Sequence, residues 1–112
     1  MRRNRWKTFA GVSGCMAVIM GAVGSHVIAD AYLSNLVQKA AFYQLIFAVA
    51  LLWTSGASPS ANPIAKLLFL MGTVLFCGSI YVKVLAGWPH ATMVAPAGGI
   101  CFMLGWLAIA FL

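Results

Sequence analysis

The sequence predicts an all-α integral membrane protein: a four-helix bundle running up, down, up and down, with both termini on the cytoplasmic side. Three observations point there. Hydrophobic residues fill 63% of the 112 positions and charged residues only 7%, where soluble domains carry about 25% charged residues. So short a chain cannot hide that much apolar surface from water, so its solvent is lipid. Apolar runs near the ~20 residues needed to cross a bilayer recur four times, and the connections between them are short, which forces neighbouring helices antiparallel.

The first span is expected at residues 8–28, "TFAGVSGCMAVIMGAVGSHVI". It follows "MRRNRWK", which holds Arg2, Arg3, Arg5 and Lys7, four of the seven basic residues in a chain of formal charge +6. A basic cluster beside an apolar helix anchors that end in the cytoplasm against anionic lipid. No basic stripe continues past Lys7, which argues against a nucleic-acid partner. Three export-like features occur here: "VIA" before Asp30, "VSGC" at 12–15, and the Arg2–Arg3 pair. The apolar stretch before "VSGC" is too short for a signal, and the wider twin-arginine motif is missing. The segment is read as a retained first span.

The second span is expected at 36–55, with a polar first turn, the third at 64–86 and the fourth at 93–112. Between them lie "ADAYLSN", "GASPSANP" and "GWPH", all carrying turn or breaker residues. No connection is long enough to divide residues 1–112 into separate domains. Four spans return the C-terminus to the cytoplasm. Lys66 agrees with that orientation, Lys39 and Lys83 oppose it, and Trp6, Trp53 and Trp88 fall at the expected interfaces, where aromatic belts belong. Pro96 lies in the first turn of the fourth span, where its missing N–H costs nothing. The following "AGG" fits either a thin, close-packed helix start or a locally unwound one.

Small residues recur on the helix faces. Gly14, Gly21 and Ser25 mark the first span, with Gly11 and Gly24 nearby; Gly72 and Ser79 mark the third; Gly98 and Gly105 mark the fourth. Lipid supplies no hydrophobic drive between helices, so close backbone approach and dispersion must hold them together. These positions are therefore expected to pack. A pore lined by them is the alternative, for which four short, close-packed helices leave little room.

Cys15, Cys77 and Cys101 all fall in apolar runs. An odd count without CxxC or Cys-His spacing favours buried hydrophobes over disulfides or a zinc site. One polar group remains. Asp30, the only acidic residue, follows His26 by four positions, and Lys83 lies at a similar depth in a helix running the same way. His26, Asp30 and Lys83 are thus expected to form one outer layer, with Asp30 paired to Lys83. Ionisable groups at membrane depth point to function, whereas near a helix end the dipole and snorkelling make them structural. His90 is the only other histidine, and no ligand spacing supports a metal site. With one acid in the chain, acid–base catalysis is not expected.

Taken together, "GAVGSH", "FYQLIFAVALL", "GTVLFCGSIY" and "APAGGICFMLGW", in that order, resemble the small four-helix membrane proteins grouped as domain of unknown function 423. The resemblance spans nearly the whole chain. It places His26 at the close of the first-span motif, Gly78, Ser79 and Tyr81 in the third, and Pro96, Gly98, Gly99, Gly105 and Trp106 in the fourth. Gly78 and Gly99 thereby join the expected packing set. It also implies a histidine after the Tyr-Gln pair of the second span, where this chain has Phe47. The family implies fold and location but no activity. The expected role is a non-enzymatic accessory subunit of a respiratory or transport complex in the bacterial inner membrane, without a cofactor. Its partners would be lipid and other membrane subunits, or copies of itself. A transporter or ion-conducting oligomer using the His26–Asp30–Lys83 layer, and a quinone- or haem-contacting protein using His26 and Tyr81, are the alternatives.

Overall fold

The structure is a computed structural model and describes residues 5–54 and 63–111. Arg2, Arg3, most of "GASPSANP" and Leu112 lie outside the described residues. Four helices are long and apolar enough to cross a membrane. They are α1 (Arg5–His26), α2 (Ala31–Thr54), α3 (Pro63–Leu85) and α4 (Pro89–Phe111).

The largest departure from the sequence reading is at α2, which begins at Ala31, five residues before the expected start. From Ala31 on, "ADAYLSN" is helix, not connection. Asp30 makes it so: its carboxylate accepts the Leu33 N–H at 3.0 Å, and its own carbonyl accepts the Ser34 N–H at 2.8 Å. This is an N-cap, in which an Asp side chain satisfies a backbone donor that the helix itself cannot. The turn is tied from the other side by the Ser34 hydroxyl, which donates to the Gly24 carbonyl at 2.5 Å. A Cβ at Gly24 would lie 3.0 Å from Gln38 Cγ, so glycine lets α1 end against the start of α2.

α3 is not uniform. It is α-helical over Pro63–Gly72, π-helical over Thr73–Gly78 and α-helical again over Ser79–Leu85. Its end is closed by the Ala86 N–H on the Val82 carbonyl, and Gly87 follows with φ 73°. That left-handed step is one glycine takes without steric penalty. α4 opens with a 3₁₀ segment, Pro89–Val94, and becomes α-helical at Ala95–Phe111. Pro96 therefore sits in a regular first turn, which settles the "AGG" stretch as wound helix.

The bundle is flattened, 45 × 30 × 18 Å. α1 lies along α2, α3 lies along α4, and α2 meets α3 between the two pairs. The α3–α4 seam is the tightest. A Cβ at Gly98 would fall 2.5 Å from the Phe76 nitrogen, one at Gly105 2.6 Å from the Phe69 ring, and one at Gly72 would overlap the Phe102 ring. Gly14 and Gly21 face Ala48 and Ala41 at ordinary contact distances of 3.7 and 3.9 Å. Gly78 and Gly99 do not belong to the packing set: a Cβ at either would meet nothing within 4 Å. Ser25 is also not a packing contact. It is exposed, and its hydroxyl bonds back to Gly21 O at 2.9 Å. Ser79 is buried and bonds to Phe76 O within its own helix.

Phe47, where the family pattern implies histidine, sits at the centre of an aromatic cluster. Its ring stacks on Phe102 at 3.5 Å and 7°, with Phe69 at 5.4 Å and Trp106 at 6.1 Å. Side chains, rather than close backbones, thus carry the contact between α2 and α4.

Candidate functional site

The expected outer layer does not assemble as a charge pair. Asp30 is engaged as the cap of α2, whereas the Lys83 ammonium lies 5.4 Å from the centroid of the Tyr32 ring. A cation over an aromatic face is attracted by the ring's negative π surface, typically by about 0.5–1 kcal/mol when exposed. The two charges therefore hold the same corner through different partners. α1 ends at His26 and α2 begins only after Asp30, so no continuous helix places Asp30 on the face of His26. His26 is the last residue of α1 and is exposed, as is His90 in the 3₁₀ segment of α4. Among the described residues no three His, Cys, Asp or Glu side chains cluster as metal ligands would.

The polar chemistry lies elsewhere, at the middle of the bundle. The Tyr81 hydroxyl of α3 donates to Gln44 Oε1 of α2 at 2.6 Å, and Gln44 Nε2 donates to the Ser13 hydroxyl of α1 at 3.1 Å. All three side chains are buried, at 6%, 4% and 6% exposure, so three helices are tied by one chain out of reach of water. Ser13 lies about 4 Å along α1 from that helix's midpoint, and Gln44 about 2 Å along α2 from its own, at 1.5 Å per residue. A third link runs from the buried Cys77 thiol to the Ala40 carbonyl at 3.3 Å. Cys77 is thus a cross-helix donor as well as a small hydrophobe, whereas Cys15 is exposed and Cys101 half-buried.

The chain carries more donors than it uses. A hydroxyl has one proton and a primary amide two. With Tyr81 donating to the amide oxygen and the amide nitrogen donating to Ser13, the Ser13 proton and one Gln44 proton have no acceptor among the described residues. Turning the amide over does not cure this. Ser13 would then donate to the amide oxygen, the nitrogen to Tyr81, and the Tyr81 proton would be left instead. Each polar atom of the three side chains thus has a partner, and what is left over is donor capacity.

Beside this chain the bundle is open. α1 and α3 both pack on α2 without closing on each other, and the gap between them is a cavity of about 240 Å³. Phe9, Val12 and Met16 form one wall and Val74 the other. Ser13, Gln44 and Tyr81 lie at its floor, with Thr73, Cys77 and Gly78 of the π segment. Towards the start of α1 the gap is bridged by Lys66, whose ammonium lies 4.6 Å from the Trp6 ring centroid. π turns inside α-helices often occur at functional sites, and this one borders the cavity over its length.

Sequence reasoning singled out Tyr81 but missed Ser13 and Gln44. A glutamine at the centre of an apolar span was itself the available signal, since a polar side chain at that depth needs a partner.

Four helices long and apolar enough to span a membrane, three of them tied by a buried polar chain, define a multi-pass membrane protein. The chain belongs to a family described as "Protein of unknown function (DUF423)", whose model matches residues 20–99 and so takes in Gln44, the π segment and Tyr81. It is 32% identical over 105 residues to the UPF0382 inner membrane protein YgdD of Escherichia coli, covering 88% of this chain and 80% of that one. A UPF0382 membrane protein of Staphylococcus aureus is 34% identical over 105 residues, covering 88% and 85%. One from Haemophilus influenzae is 26% identical over 115 residues, covering 97% and 93%. No solved structure matches the chain. It is a multi-pass protein of the inner membrane.

Proposed function

We propose that the protein is a non-enzymatic accessory subunit of a larger respiratory or transport assembly, and that α1 is the helix it presents. The observation that supports this is the situation of α1. It packs its length along α2, and one flank of it carries Gly11, Cys15, Val18, Ala22 and Ser25, all exposed. These positions follow one another at spacings of four and three, so they form one stripe along the helix. Within lipid, small side chains favour a neighbouring helix by letting backbones approach. The α3–α4 seam shows that this chain uses the device internally, at Gly72, Gly98 and Gly105. On α1 the same device is left facing outward.

A photo-crosslinking residue at Val18, activated in intact membranes, tests the reading. The expected product is a discrete adduct with one membrane protein, identified by mass spectrometry, and lost in Gly11→Leu. Crosslinks to lipid alone would refute the accessory role, and an adduct only between two copies of this chain would replace it with self-association. Transport through the outer layer has no comparable support, because Asp30 and Lys83 have separate partners.

A further inference from the structure

We propose that the cavity between α1 and α3 is a binding site for a bilayer-soluble quinone-type ring, whose carbonyl oxygen enters sideways from the lipid and accepts the spare proton of the Ser13–Gln44–Tyr81 chain. The unmet chemistry selects the ligand. Either orientation of the Gln44 amide leaves a hydroxyl proton and an amide proton over, so the floor offers donors and calls for an acceptor without protons of its own. A ring carbonyl is such a group.

Depth then chooses among acceptors. The ester carbonyls of phospholipids sit at the interface, whereas Ser13 and Gln44 lie within a few ångströms of their helix midpoints. A ring carried on an apolar tail can reside there. Size agrees as well. Sites for drug-sized ligands run to about 300–1,000 Å³, and about 240 Å³ suits a single substituted ring with its tail left in the bilayer. The walls are largely apolar, which suits a greasy ring with one of its carbonyls at the polar chain. Gly78 keeps the space open: a Cβ there meets nothing within 4 Å, and the residue lines the cavity. His26, which sequence reasoning paired with Tyr81 for such a contact, takes no part, since it is exposed at the end of α1.

The test uses the full chain in mild detergent, with a decyl-substituted benzoquinone as probe and thermal stabilisation and fluorescence quenching as readouts. Saturable binding is expected. Gly78→Leu, which fills the cavity, should weaken it at least tenfold while the unliganded protein melts within a few degrees of wild type. Ser13→Ala should weaken binding several-fold and shift the carbonyl stretch of a carbon-13-labelled probe towards its value in free detergent. Three results would overturn the proposal: no saturable binding, equal affinity in wild type and Gly78→Leu, or equal protection by a short-chain phosphatidylglycerol that Gly78→Leu also abolishes. The last would assign the cavity to a lipid ester. Crosslinking at Val18 reports on a different side of α1, so failure here leaves the accessory reading standing, and the reverse holds too.

Discussion

Gly98 and Gly99 are neighbours in the same turn of α4, and replacing each with alanine should have opposite effects. A Cβ on Gly98 would sit 2.5 Å from the Phe76 nitrogen, 2.8 Å from its Cβ and 2.9 Å from its Cα. Two of those three atoms are backbone, and they lie inside the π segment of α3. No side chain can swing aside to make room, so the helices must part. Overpacking of this kind typically costs about 1–3 kcal/mol, and contact with backbone puts Gly98→Ala at the upper end, about 3 kcal/mol. A Cβ on Gly99 meets nothing within 4 Å. There alanine removes only glycine's entropic cost in a helix and should stabilise by about 0.5–1 kcal/mol. The expected gap between the two variants is therefore about 3.5–4 kcal/mol. Reversible unfolding in a single detergent, followed by circular dichroism, measures it. Equal stabilities, or a Gly99→Ala variant less stable than Gly98→Ala, would refute the seam as the tightest contact of the bundle.

Asp30→Ala should cost about 1 kcal/mol as the loss of an N-cap, whereas Asp30→Asn, which also caps, should cost little; an equal loss from both would restore the ion pair with Lys83. Tyr81→Phe should destabilise by about 0.6–1.7 kcal/mol, the range for hydrogen bonds between membrane helices, and a double-mutant cycle with Ser13→Ala should show coupling through Gln44. Additive single losses would mean that the three side chains do not act as one chain. A phosphatase fused after Leu112 should be inactive, because the positive-inside rule, applied to the basic N-terminal cluster and four spans, predicts both termini in the cytoplasm; strong activity would refute that orientation.

The helices were legible in the sequence because lipid demands a simple signal. About 20 apolar residues in a row suffice, and all four spans appear where the runs lie. What composition could not resolve is how a polar residue near a helix end is used. Asp30 has the same hydropathy as an outer-layer anion or as a cap, and only the backbone geometry of Leu33 and Ser34 distinguishes them. The small residues show the same limit. Gly98 and Gly99 are identical as letters, yet one meets Phe76 and the other nothing. The π segment was equally hidden, since "TVLFCG" carries no proline, and a lone glycine does not mark a widened turn. Gln44 was readable in principle, being uncharged, polar and central, but its partners are residues 31 before it and 37 after it.

These features have a common mechanical origin. α3 has two neighbours to satisfy, α4 on one side and α2 on the other. Gly72, Gly98 and Gly105 draw α3 and α4 together until Phe76 meets the Gly98 backbone. Cys77, the next residue, bonds to Ala40 of α2, and Tyr81, one turn further on, bonds to Gln44. A helix pinned to α4 and α2 within one turn does not also close on α1, which packs along α2 and meets α3 near its start through Trp6 and Lys66. The gap beside Ser13 is therefore a consequence of the seam. It follows that loosening the seam should close the gap: if Gly98→Ala lets α3 move away from α4, the benzoquinone probe should lose affinity in that variant although Gly98 does not line the cavity. Unchanged binding in a Gly98→Ala protein of reduced stability would separate the two features and leave the cavity a property of α1 and α2 alone.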